Sequence, residues 1–155
     1  MTAVKDIKIV EMSKQDIPEL VKIEKQCFSI PWSENSFKTA FEDSYSQFFV
    51  VKTQLTDCIL GFSGMYIAAN TEGYVYNIAV IPEYRKKGIG TELMKTLLKY
   101  SNKNKLEFLS LEVRESNFEA ISIYKNLGFK KMGVRKNFYE LPVENAVVMT
   151  YYFNR

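Results

Sequence analysis

The stretch Arg85-Lys86-Lys87-Gly88-Ile89-Gly90-Thr91 has the clearest chemical content in this chain. It places three consecutive cations and two glycines between a strand-like run and a helix-like run. The start of a helix exposes N–H groups that lack helical partners and carries partial positive charge. Glycines let an anion approach the backbone closely. Together these features suit a pyrophosphate. The loop has neither the GxxxxGK(S/T) pattern of a Walker A site nor GxGxxG. Two other readings stay open at this point: a solvated basic turn, and a basic targeting patch.

The chain contains no histidine. That excludes a Ser-His-Asp triad, a Cys-His pair, an HExxH zinc site and a histidine-held haem. Acid–base chemistry must use Glu, Asp, Tyr, Lys or Cys. Cys27 and Cys58 are far apart and lack metal-site spacing, so they read as reduced thiols of a cytoplasmic protein and no metal is expected. Lys and Arg number 21 against 18 Asp and Glu, a net charge of +3. This is too weak to imply nucleic acid, and it allows an anionic small-molecule partner if the positive charge is clustered.

The elements that must position this loop follow from periodicity. With 155 residues, 46% of them hydrophobic and 25% charged, one globular domain over 1–155 is expected. No apolar run is long enough for a membrane helix, and residues 1–6 do not resemble an export signal. Residues 7–11 alternate as a strand. Ser13, Asp16 and Pro18 start a helix whose apolar face is Ile17, Leu20, Val21 and Phe28. Ser33 caps a second helix carrying Phe37, Ala40 and Phe41. Runs 47–53, 58–67 and 72–80 read as a three-strand antiparallel meander. In the last of these, Tyr74, Tyr76, Ile78 and Val80 are expected on one face, opposite Val75, Asn77 and Ala79.

After the basic loop, Ile89, Leu93, Leu97 and Tyr100 mark a third helix, and 106–113 a fifth strand. Ser116-Asn117 opens a fourth helix that ends at Gly128. Runs 129–134 and 147–153 are the last strands. The fold class is therefore mixed α+β: one mostly antiparallel sheet of about seven strands flanked by about four helices. The helix between 74–80 and 106–113 implies a local parallel pair.

Two motifs on these elements resemble those of the GCN5-related N-acetyltransferases. One is Asn77-Ile78-Ala79-Val80, Pro82, Tyr84-Arg85, then R-x-x-G-x-G. The other is Ser116-Asn117, Ala120, Tyr124 and Gly128-Phe129, matching S-N-x-x-A-x-x-x-Y-x-x-x-G-F. The order of elements also matches that family's fold along almost the whole chain.

The resemblance implies acetyl-CoA as cosubstrate, with its pantetheine arm in a wedge between strands 74–80 and 106–113. Backbone groups of Ile78, Ala79 and Val80 would pair with the arm. The N–H groups of Lys86, Lys87, Gly88, Ile89, Gly90 and Thr91 would hold the pyrophosphate. The amide of Asn117 would touch the cofactor, although its position suits a plain helix cap equally. The reaction needs a neutral amine and a stabilised leaving thiolate. Glu112 is the candidate base, directly or through water, and Tyr124 the candidate acid. Both positions also admit a bland reading. Glu112 could be a surface carboxylate paired with Arg114 or a lysine, and Tyr124 a helix-face aromatic packed on the sheet.

For the acceptor, 28–33 (Phe28-Ser29-Ile30-Pro31-Trp32-Ser33) and Leu111-Glu112-Val113-Arg114 resemble the branch of the family that acetylates protein N-termini. The segment Arg135-Lys136-Asn137-Phe138-Tyr139, with Pro142, Glu144, Ala146 and Met149, is similar to the bacterial ribosomal-protein-alanine N-acetyltransferases. Phe138 and Asn145 depart from the Tyr and Asp more usual there. The resemblance therefore implies an acceptor that is a protein N-terminus, the alanine of a small-subunit ribosomal protein. Trp32 and Tyr139 would face it, unless Trp32 is a core aromatic and Tyr139 only pads the last strands. Acidic residues such as Glu42, Asp43, Glu140 and Glu144 would meet a basic peptide. A small amine, polyamine or antibiotic as acceptor, or a CoA-binding module without chemistry, are the alternatives. No direct nucleic-acid or membrane partner is implied, and the oligomeric state is left open.

Overall fold

The computed structural model describes residues 6–154. Most of the N-terminal stretch considered for an export signal thus lies outside the described residues. Seven strands form one sheet: β1 (Ile7–Glu11), β2 (Ser46–Thr53), β3 (Ile59–Ala68), β4 (Glu72–Val80), β5 (Phe108–Arg114), β6 (Lys130–Glu140) and β7 (Val143–Tyr152). Four helices accompany them: α1 (Ile17–Cys27), α2 (Glu34–Glu42), α3 (Ile89–Lys103) and α4 (Phe118–Leu127). The spatial order is β1-β2-β3-β4-β5-β7-β6, with β4 and β5 the parallel pair and the others antiparallel. No helix of the described residues is long and apolar enough to cross a membrane.

Local chemistry explains the helix boundaries. The Ser13 and Asp16 side chains form a reciprocal capping box ahead of α1. Ser33 Oγ accepts the Ser36 N–H at 3.1 Å and starts α2. Gly128 ends α4 at φ 108°, in the left-handed region. Amphipathic faces then sort the layers. The Ile17, Leu20, Ile23, Phe37 and Ala40 side chains of α1 and α2 pack on Phe48, Val50, Phe62 and Ala79. On the other face, Met94 and Leu97 of α3 meet Leu109, Leu111, Val113 and Met149 of β5 and β7.

Three expectations are corrected. The buried face of α1 is Ile17, Leu20, Ile23 and Glu24. Val21 and Phe28 do pack against this core, but only as half-buried residues, and Phe28 does so from just past the helix end. Phe41 of α2 is 37% exposed, so only Phe37 and Ala40 reach the core.

The alternation expected along β4 also breaks. Gly64 pairs with Asn77 but Met65 pairs with Val75, which leaves Tyr76 as a bulge. Tyr76 and Asn77 consequently both lie on the α1 side: Tyr76 packs beside Trp32, and Asn77 bonds Glu24. Ile78 and Val80 turn to the α3 side. The last hairpin is longer than its apolar runs. Strands β6 and β7 extend to a turn at Leu141-Pro142, through a register shift between Arg135 and Tyr139 where Asn137 has φ 54°. Asn145 Oδ1 accepts the Asn137 N–H at 3.0 Å and holds this bulge. An aspartate oxygen could do the same, so the departure at this position changes little.

Candidate active site

The parallel ladder between β4 and β5 holds for only three residue pairs, Glu72–Phe108, Gly73–Leu109 and Tyr74–Ser110. Beyond them β4 continues along β3 to Val80, and β5 continues along β7 to Arg114. Each strand therefore keeps one neighbour, and the edges that face each other diverge. Backbone groups on those edges have no strand to bond, which is the condition for an extended ligand to add itself to β4. Two adjoining clefts fill the gap, of about 500 Å³ and about 310 Å³.

The smaller cleft is lined by Ile78, Ala79, Val80, Arg85, Lys86, Gly88, Ile89, Gly90 and Thr91, as well as by α4 residues. The first bond of α3 runs from the Glu92 N–H to Gly88 O at 3.1 Å. This leaves the N–H groups of Ile89, Gly90 and Thr91 without a helical partner at the cleft wall. Gly88 reaches the helix from φ 84°, where a side chain is disfavoured. A Cβ on Gly90 would meet nothing within 4 Å, so the glycine borders open space. The three cations are not equivalent. Arg85 Nε donates to Val80 O at 2.9 Å, and its Nη2 donates to Cys27 Sγ at 3.3 Å. Lys87 lies over the Tyr84 ring at 5.5 Å and outside the cleft lining. Lys86, at φ 62°, does line it. The lone basic-patch reading does not explain N–H groups opening on a cleft.

The larger cleft is lined by Glu24, Trp32, Tyr76, Asn77, Glu112, Arg114, Phe138, Tyr139 and Glu140, among others. Cys27, Phe28, Ile78, Asn117 and Tyr124 line both clefts and so mark their junction. Tyr124 packs its ring on Phe129 at 5.8 Å. Among the described residues its hydroxyl makes no hydrogen bond to protein. Burial, reinforced by Tyr139, pushes that hydroxyl up to about 12, so it keeps its proton. Asn117 Oδ1 accepts the Ala120 N–H at 3.2 Å, which makes the residue the cap of α4. The cap uses only Oδ1 and leaves Nδ2 at the junction.

Glu112 projects from β5 into the larger cleft. Its ion-pair partner is Arg135, at 4.0 Å, rather than Arg114 or a lysine. Arg114 instead pairs with Glu144 at 3.1 Å and stacks its guanidinium 4.4 Å from the Tyr139 ring centre. Tyr139 is likewise pushed up to about 12, by burial and by Glu112 and Glu144 against the pull of Arg114. Glu144 also accepts the Ser116 N–H, so it braces the hairpin against α4. Trp32 packs among Phe37, Phe48 and Tyr76 while lining the cleft, so the core and cleft readings hold together.

One cleft residue escapes sequence reading. Glu24 is 2% exposed; its carboxylate accepts the Trp32 N–H at 2.9 Å and the Asn77 side-chain amide at 2.7 Å. Burial pushes it up, and both bonds oppose the shift. The available signal was its place on the apolar stripe of Ile17 and Leu20, where a carboxylate needs a partner.

Against known proteins, the model of the acetyltransferase (GNAT) family matches residues 17–129. A ribosomal protein bS18-alanine N-acetyltransferase of Escherichia coli (strain K12) is 32% identical over 145 residues, 91% of this chain and 94% of its own. One of Haemophilus influenzae is 33% identical over 147 residues, 93% and 97% of the two chains. The crystal structure of the ribosomal-protein-S18-alanine N-acetyltransferase from Escherichia coli superimposes with a TM-score of 0.86 at 30% identity. That match covers 96% of this chain and 95% of that one.

Proposed function

This chain belongs to the acetyltransferase (GNAT) family, and on that premise we propose that it transfers the acetyl group of acetyl-CoA to the N-terminal α-amine of a protein. The alanine of ribosomal protein bS18 is the acceptor that the relatives suggest. The observation that supports the chemistry best is the junction: a phosphate-suited cleft and a carboxylate-bearing cleft meet at Tyr124.

Acetyl-CoA supplies an activated thioester. In this reading the N–H groups of Ile89, Gly90 and Thr91 hold its pyrophosphate, and the edge of β4 at Ile78, Ala79 and Val80 aligns its arm, with Val80 O already tied to Arg85. Lys86 adds positive charge at the mouth. Asn117 offers Nδ2 to the arm while its Oδ1 caps α4. Glu112 takes the proton of the attacking amine, directly or through a water. An α-amine has a pKa near 8 against about 10.4 for lysine, so its deprotonation near neutral pH costs about 3 kcal/mol less. Tyr124 donates a hydrogen bond to the leaving sulfur. With a hydroxyl at about 12 and a thiol near 8.5, full proton transfer would be uphill by about 5 kcal/mol. Tyr124 therefore stabilises the thiolate without ionising. Glu112 passes the ammonium proton on to solvent, and the second proton, which the nitrogen sheds as the amide forms and the C–S bond breaks, ends through water on the thiolate sulfur. Trp32 and Tyr139 flank the acceptor.

The test is a panel of acceptors: alanine-initiating peptides, lysine-containing peptides with blocked termini, polyamines and aminoglycosides, read by thiol release. Peptide α-amines should give the highest kcat/KM, and a polyamine or aminoglycoside in first place overturns the acceptor reading. In the same assay Glu112→Gln should lower kcat by about 10² while acetyl-CoA affinity stays unchanged. The defect should shrink as pH rises and the amine deprotonates unaided. A uniform loss at all pH values would make Glu112 a positioning group.

A further inference from the structure

The tip of the last hairpin overhangs the sheet. β5 stops at Arg114, opposite Ala146, so beyond that pair β6 and β7 have no third strand beside them. Their own ladder is interrupted there. It shifts between Arg135 and Tyr139 and resumes for two pairs only, Tyr139–Glu144 and Glu140–Val143. None of residues 136–145 belongs to a core cluster, and Phe138, Leu141 and Val143 are exposed. Core packing therefore does not hold this tip, yet the tip supplies Phe138, Tyr139 and Glu140 to the wall of the larger cleft.

One guanidinium reaches both strands of the tip and the turn between them. Arg114 Nη1 donates to Pro142 O at 3.0 Å and to Glu144 Oε1 at 3.1 Å, and Nη2 donates to Leu141 O at 3.3 Å. The same group lies over the Tyr139 ring. The Arg114 and Glu144 side chains are 26% and 18% exposed, so this is not the solvated surface pair that contributes almost nothing. Glu144 passes the anchorage on to α4 by accepting the Ser116 N–H at 2.6 Å. A planar fork suits two carbonyls and a carboxylate, whereas an ammonium is a point charge without that geometry. Arg114 also leaves β5 on the same face as Glu112, two residues before it. The strand that carries the candidate base thus carries the group that holds the hairpin beside it. A brace for stability alone could stand anywhere along the hairpin; this one stands at the cleft wall, under the ring that faces the cleft.

We infer that Arg114 is a positioning residue for the acceptor: its fork locks the hairpin tip, holds Tyr139 at the cleft, and through Tyr139 sets acceptor affinity. The inference rests on the reading above that the larger cleft receives the acceptor amine.

The test uses Arg114→Lys and Arg114→Ala with whichever amine ranks first in the panel above. A failure of the α-amine reading then appears in that ranking, and a failure of this inference in the ratio of variant to wild-type KM. Acceptor KM should rise about tenfold, nearly as much in the lysine variant as in the alanine one. In Arg114→Lys, kcat, its pH profile and the calorimetric acetyl-CoA affinity should stay unchanged. Wild-type KM in Arg114→Lys would show that charge alone suffices and overturns the inference. A fall in kcat with KM unchanged places Arg114 in the chemistry and overturns it too. In a Tyr139→Ala background, Arg114→Lys should raise KM by about twofold or less, because the route to the acceptor is already gone. The full rise in that background makes Arg114 a direct acceptor contact and overturns the positioning role. Melting curves check folding. If Arg114→Ala unfolds, Arg114→Lys, which keeps the charge and most of the stem, carries the test alone.

Discussion

The two clefts are built from different materials. The smaller one is a backbone site: helix-start N–H groups, the free edge of β4 and a glycine beside open space, all within residues 78–91. The larger one is a side-chain site assembled from α1, the loop after it, β4, β5 and the β6–β7 hairpin. A backbone site recognises a shape common to many ligands and tolerates side-chain change where no Cβ intrudes. A side-chain site, which in the proposed reading sets acceptor choice, fails when one distant brace is lost. Variants should therefore separate cleanly into those that spare acceptor chemistry and those that spare cofactor affinity.

The largest effect should come from the point where the clefts meet. Tyr124→Phe removes one oxygen and keeps the ring on Phe129. A donor used mainly in the transition state contributes to kcat and kcat/KM alike, so both should fall by about 10² or more, with acetyl-CoA binding intact. Steady-state kinetics beside a melting curve decide this. A stable variant with near-wild-type kcat would mean that water serves the thiolate.

A smaller loss is expected within the backbone site. Gly90→Val fills space that is empty in the free protein, so the fold should persist while acetyl-CoA affinity drops by about tenfold or more, near 1.4 kcal/mol. Calorimetric titration that finds unchanged affinity in folded protein removes the cradle.

The smallest effect tests the brace of the acceptor side. Glu24→Gln leaves the Trp32 N–H or the Asn77 amide with a poorer acceptor, at a cost of about 1 kcal/mol. Acceptor KM should rise while acetyl-CoA affinity holds. The pH dependence has a definite sign. A carboxyl whose folded pKa is raised adds stability that is full below its unfolded value and is lost as pH rises through the folded one. Wild-type protein should lose this share as pH climbs from about 4.5. The Tm difference, variant minus wild type, should then increase across that window. A difference that decreases with pH would show that the hydrogen bonds outweigh burial.

Much of the fold was legible because its signals are local. The Ser33 cap, the left-handed Gly128 and the strand–loop–helix order around Arg85 to Gly90 depend on contiguous residues. So does the dual place of Asn117 as a cap beside the candidate site. The parallel pair of β4 and β5 followed from the helix between them, since only a crossover can join parallel neighbours.

The tertiary structure decided what contiguous residues cannot specify. Strict alternation along β4 put Asn77 on the wrong face relative to Tyr76, because a bulge depends on how β3 pairs with it and not on β4 alone. The last hairpin outran its apolar runs because pairing through Asn137 and Asn145 extends strands whose side chains stay exposed. Glu112 pairs with Arg135 across the sheet and not with Arg114, two residues away on the same face, because Arg114 is drawn to Glu144 and Tyr139. By itself the sequence determined which elements form, and which backbone N–H groups are left without helical partners at the start of α3, since both depend on propensity over a few residues. Only the packed sheet decided where β4 and β5 part and which carboxylates face the gap, because those are set by contacts between residues far apart in the chain.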